Sequence, residues 1–112
     1  MGPDLSKLLD GVGGDRKLLR ELVELFLTDT PKLVARVKRA IAGNNNVRLK
    51  DAAHALKGSI GNFDSGRVFE SVRKLEAFGR ENNVRGARDI MEAVETEINK
   101  LRKTLRELKR TL

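Results

Sequence analysis

The residues of this sequence that could do chemistry crowd into one stretch. His54 is the only histidine and cysteine is absent. Lys50 precedes His54 by four residues, Lys57 follows it by three, and Gly58 and Gly61 come next. With no thiol there is no cysteine nucleophile, disulfide or thiolate metal site, and one histidine is too few for a histidine-rich metal site. What remains is an imidazole nucleophile attended by ammonium groups. A solvent-exposed imidazole is largely neutral at pH 7, and nearby lysines favour that neutral form, which leaves a ring nitrogen free to attack. The same lysines suit a phosphorylated product, because a phosphoryl group brings nearly two negative charges that an ammonium can hydrogen-bond.

This chemistry requires His54 to face solvent, and helical periodicity says that it does. At about 100° per residue from Leu49, the side chains of Ala53, Leu56 and Ile60 fall within about 40° of it, a narrow apolar stripe with Ala52 and Phe63 at its edge. His54 then lies near 140°, with Gly58 near 180°, Gly61 near 120°, Lys50 near 100° and Lys57 near 80°. Residues three and four apart stack on one face, so Lys50, Lys57 and Gly58 neighbour the imidazole. Two glycines on an exposed helix face cost roughly 1 kcal/mol each relative to alanine, and close approach of another protein would explain the bare surface they leave. By themselves these residues also describe an ordinary solvated histidine between surface lysines.

The helix carrying this face spans about Val47 to Asn62 and belongs to an all-α pattern. Proline occurs only at Pro3 and Pro31, and alternating strand-type runs are missing. A short helix from Asp4 to about Leu9 ends at Gly11, Gly13 and Gly14 and serves as a lid. Asp15 caps the next helix, whose apolar residues from Leu18 to Ile41 continue past Thr30-Pro31 to near Gly43, consistent with one kinked helix. Asn44-Asn45-Asn46 suits a turn. A further helix runs from Ser65 to Asn82, capped by Asp64 or Ser65, with Val68, Phe69, Val72, Leu75 and Phe78 inward. The last, about Val84 to Arg110, carries Met91, Val94, Ile98, Leu101, Leu105, Leu108 and Leu112 as a heptad seam. These elements predict an antiparallel four-helix bundle with a short extra N-terminal helix, one domain over residues 1–112. The alternative is a helical scaffold that binds a partner through the C-terminal seam.

Composition narrows the classes. Of 112 residues, 39% are hydrophobic and 35% charged, too apolar for disorder and too charged for a membrane protein. No run approaches the roughly 20 apolar residues of a bilayer span, and Met1-Gly2-Pro3-Asp4 is not a signal peptide start, so a cytoplasmic location without membrane contact is expected. The net charge of +7 favours an anionic partner. Nucleic acid is disfavoured, because tryptophan and tyrosine are absent and acidic residues alternate with the basic ones.

The string Ala53-His54-Ala55-Leu56-Lys57-Gly58-Ser59-Ile60-Gly61-Asn62-Phe63 closely resembles the signature of histidine phosphotransfer domains. Val12-Gly13-Gly14-Asp15, Leu25-Phe26-Leu27 with Pro31, and Leu75-Glu76-Ala77-Phe78-Gly79-Arg80 extend that resemblance in the expected order over nearly the whole chain. It departs at Asp64-Ser65, where the family commonly has Gly-Ala, and at Asn44-Asn45-Asn46, where a Gly-Asp turn is common; both lie in turns. The resemblance implies that His54 is the phosphoacceptor, that Lys57 contacts the phosphoryl group, and that Gly58 leaves room for the incoming partner, with Gly61 beside it. It implies a monomeric phosphocarrier without its own kinase site or cofactor. Magnesium and the exchanging aspartate would belong to a response-regulator receiver. A hybrid sensor histidine kinase is the implied further partner, in cis or in trans, and the start at Pro3-Asp4 leans toward a domain excised from such a kinase.

Overall fold

The computed structural model describes residues 4–64 and 66–112, and its elements there are five helices: α1 (Leu5–Gly11), α2 (Arg16–Ala42), α3 (Asn46–Gly61), α4 (Arg67–Arg80) and α5 (Val84–Lys109). Helices α2 to α5 alternate in direction and form the expected bundle, 42 Å along its long axis and 21 Å across. Local signals set most boundaries. The side chains of Asp4, Asp15, Asn45 and Asn83 accept backbone N–H bonds at the starts of α1, α2, α3 and α5, satisfying donors that a helix leaves orphaned. Asn44 and Asn82 take left-handed backbone, at φ 52° and 56°, where the chain reverses after α2 and α4.

Two boundary expectations need correction. Helix α4 starts at Arg67, not Ser65, and Gly66 is its N-cap without a side-chain bond. The Asp64 carboxylate instead accepts the Gly66 N–H at 2.7 Å, a tight local turn that holds the aspartate before the helix begins. Ser65 lies outside the described residues. Phe69 and Phe78, expected inward, are half-buried and pack against the core from its edge. Helix α2 runs through Pro31 without a break.

The bundle is uneven, and α1 compensates. Helices α2 and α5 have 27 and 26 residues against 16 and 14 for α3 and α4, so at about 1.5 Å per residue the long pair exceeds the short pair by roughly 17 Å. Leu5, Leu8, Leu9 and Val12 pack against the core, joined by Leu108 and Leu112. The heptad seam is consumed internally, since Met91, Val94, Ile98, Leu101 and Leu105 are buried within this one chain. The last turn is tied down as well, the Arg16 guanidinium donating to the Thr111 carbonyl at 2.6 Å.

The closest approach of two elements positions the site. Helices α3 and α4 share the most extensive contact in the molecule, and buried Gly79 of α4 lies against the α3 backbone. A Cβ at Gly79 would stand 2.6 Å from Lys50 N and 2.9 Å from its Cα. Those backbone atoms cannot swing aside, so the crowding, about 1–3 kcal/mol, outweighs the roughly 1 kcal/mol helix-propensity gain of alanine. Gly79→Ala is therefore expected to destabilise the protein by about 1–2 kcal/mol, read by denaturant unfolding. Gly58→Ala, with open space around the position, is expected to stabilise it by up to about 1 kcal/mol.

Candidate functional site

His54 sits midway along α3 with its side chain 70% exposed, as the periodicity requires: Leu49, Ala52, Ala53, Leu56 and Ile60 fill the buried face beneath it. The structure adds a partner that sequence reasoning missed. Glu76 of α4, its side chain 6% exposed, places Oε2 2.7 Å from His54 Nδ1 and Oε1 2.6 Å from Lys57 Nζ. Arg80 Nη2 stands 3.4 Å from Oε2. A carboxylate under the surface is costly unless paired and hydrogen-bonded, and here three basic groups close around it.

Burial acts to raise the Glu76 pKa, but the hydrogen bonds and charges of Lys57 and His54 outweigh it and hold the carboxyl below the ordinary glutamate range. The ionised carboxylate only accepts hydrogen bonds. Nδ1 must therefore carry a proton and donate it to Oε2, so the tautomer with its lone pair on Nε2, the nitrogen away from Glu76, is the one this contact selects. One buried acid thus selects the tautomer and fixes the ring orientation.

The other predicted site residues separate into distinct environments. Lys57 is only 23% exposed; it is bound to Glu76 instead of standing free beside the imidazole. Lys50 forms no side-chain ion pair among the described residues, and its backbone is the surface on which Gly79 rests. Gly58 has nothing within 4 Å of where a Cβ would stand, whereas a Cβ at Gly61 would meet the Phe69 ring at 3.2 Å. The two glycines therefore have different reasons: Gly58 is bare surface and Gly61 accommodates an aromatic edge from α4. Among the described residues no group of three or more His, Cys, Asp or Glu could hold a metal ion.

Glu76 left one trace in the sequence. Buried Val72, Leu75 and Gly79 mark the inner face of α4, and Glu76 stands four after Val72 and three before Gly79, within that face. A lone acid inside an apolar stripe points to a buried partner.

A carboxyl whose folded pKa is depressed binds fewer protons folded than unfolded as pH falls through the acid range. Its contribution is complete above the ordinary value of 4.5 and disappears as pH falls below that through the folded value. Glu76→Gln is expected to be less stable than wild type at pH 7, by about 1–3 kcal/mol for lost charge-assisted bonds, with the difference narrowing below pH 4.5. Urea unfolding across pH measures it. A constant difference would show that the ion pairs contribute nothing.

Residues 21–104 match the family described as Hpt domain. No curated protein matches the chain. Among solved structures, the fold is similar to that of histidine-containing phosphotransfer protein B (HptB) from Pseudomonas aeruginosa PAO1, with a TM-score of 0.88 over 98% of this chain and 96% of that one at 18% sequence identity. An exposed, oriented imidazole on the helix that carries the signature string, in a bundle of this topology, accords with that match. The chain belongs to the Hpt domain family, the histidine phosphotransfer domains of two-component phosphorelays.

Proposed function

We propose that His54 is the phosphoacceptor and that it exchanges a phosphoryl group with the aspartate of a response-regulator receiver domain. The observation that carries this reading is the 2.7 Å contact between His54 Nδ1 and buried Glu76, which leaves Nε2 as an outward-facing nucleophile. In the forward step the Nε2 lone pair forms a bond to phosphorus while the bond from phosphorus to the receiver's carboxylate oxygen breaks, and the electron pair leaves with the aspartate. No proton needs to move. The ring retains its Nδ1 proton, becomes cationic, and is stabilised by the carboxylate of Glu76. Return transfer reverses each change.

Lys57 has three donors, of which the Glu76 contact occupies one, so its ammonium remains able to bind a phosphoryl oxygen. Gly58 leaves the approach side open. The aspartate and the magnesium that shields its phosphate come from the receiver, and this domain contributes a positioned nucleophile. The scaffold reading is weaker, because most of the seam on which it depends is buried inside the bundle.

Incubation with phosphorylated receivers tests the proposal. Wild type is expected to gain an acid-labile phosphate that His54→Gln does not. Equal labelling of both, or none of wild type by any receiver, would overturn it. Glu76→Gln is expected to slow transfer about 10–100-fold, by analogy with losing the partner that orients a ligating histidine, with receiver affinity little changed. Gly58→Trp is expected to raise the half-saturating receiver concentration while the fold remains intact by circular dichroism.

A further inference from the structure

A cluster of unpaired cations gathers on the α2–α3 side of the helix that carries His54. Arg36 and Arg39 of α2 and Arg48 of α3 line an open cavity of about 460 Å3 together with Asp51. Pro31, Lys32 and Ala35 extend the depression along α2. Among the described residues, Lys32, Arg36, Arg39 and Arg48 form no ion pair with an acidic side chain. The α4 side differs in degree: Lys50 is unpaired there among the described residues, but Lys57 and Arg80 are held by Glu76, and Arg73 by Glu70 at 2.8 Å.

This arrangement works against the fold. Lys32, Arg36 and Arg39 follow one another at spacings of four and three on α2, where like charges repel. Arg39 gains from the negative end of the α2 dipole. Arg48 has no such return, since it occupies the first turn of α3, the positive end, where a cation is unfavourable. Asp51 offsets one charge of four.

The groove is also in the right place. Phe26 meets Phe63 with ring centroids 5.1 Å apart, and Arg36 and Ala40 share the cavity with Arg48 and Ala52. This antiparallel register sets Ala35 about level with His54. On α3 the bare position of Gly58 and the exposed Asp51 lie between His54 and the groove. Val47, 66% exposed, shares the His54 face two turns earlier.

Resting on the reading of His54 as acceptor for a receiver, we propose that the α2–α3 groove is the specificity-bearing half of the docking surface. It takes an acidic flank of the receiver, a segment whose carboxylates meet Arg36, Arg39 and Arg48 while an apolar contact covers Val47. The footprint is lopsided: the partner leans across Gly58 onto α2 and leaves the compensated α4 side at its rim. Complementary charge of this kind raises the encounter rate and rejects receivers whose flank is neutral or basic.

The test uses the receiver that labels wild type fastest. Single-turnover transfer is followed over receiver concentration, at low and high salt, for wild type and for Arg36→Glu/Arg48→Glu. The double variant is expected to raise the half-saturating concentration about tenfold or more at low salt, to leave the maximal transfer rate within about twofold, and to approach wild type at high salt. Arg36→Gln and Arg48→Gln, which cannot introduce new repulsion, are each expected to give about a threefold rise. Chemical labelling of His54 by phosphoramidate, which needs no docking, should be equal in all, and Arg106→Glu at the far end should match wild type. An unchanged half-saturating concentration overturns the groove assignment alone, and so does an equal loss in Arg106→Glu. If an oligonucleotide or pyrophosphate binds wild type but not the double variant while transfer is unaffected, the groove belongs to that ligand and the proposal fails. Absence of transfer from every receiver overturns the acceptor reading and this proposal together.

Discussion

A carboxylate beneath the surface joins α3 to α4. Each oxygen of Glu76 is engaged by a different residue of α3, Oε2 by His54 and Oε1 by Lys57, so the acid reads the relative position of two side chains one turn apart. Those residues face one carboxylate only if α4 lies close against α3 at that level. The helices are held there by buried Gly79, whose missing side chain lets α4 rest on the backbone of Lys50. Apolar burial alone would tolerate small slips between two amphipathic helices; a buried charge with fixed partners does not, because any slip strands an unpaired carboxylate. The element that orients the imidazole therefore also fixes the register of the helices that display it.

The long helices protect this arrangement. Leu49, Leu56 and Ile60 beneath the His54 face are fully buried, as are Val37 of α2 and Ile98 of α5. The platform is therefore a close-packed interior with little freedom to tilt α3. Where α2 and α5 outrun the shorter pair, α1 and the Phe26–Phe63 edge contact close the core.

Much of this was legible in the sequence because it follows from periodicity. The exposure of His54, the inward stripe of α3, the cap at Asp15 and the seam of α5 depend on spacing within one helix, and the sequence-based reading of them agrees with the structure. What was hidden depends on register between helices. Glu76 stands out only as an acid within an apolar stripe, and its partners stay hidden until Gly79 is known to rest on Lys50. Lys57 looks like a free cation until Glu76 is placed beside it, and Gly61 looks like bare surface until Phe69 reaches it. The start of α4 differs from the sequence-based expectation for a local reason, since Asp64 satisfies the turn and leaves the helix to begin at Arg67, after Gly66 as a cap without a side chain. Segments were legible; the chemistry between them was not.

The charges at the site explain how one imidazole could serve as both good acceptor and good donor. A histidine flanked only by free lysines would bind the phosphoryl dianion strongly and release it reluctantly. Here Glu76 already engages Lys57 and Arg80, so a phosphoryl group on His54 would have to share the Lys57 ammonium with a carboxylate that keeps its own claim to it. The same carboxylate would stabilise the cationic ring formed if, as proposed, Nε2 bonds to phosphorus. One interaction favours the adduct and the other limits how tightly its phosphoryl group is held. Such a balance suits a carrier, which has to leave the free energies of its loaded and unloaded states close enough for transfer in either direction.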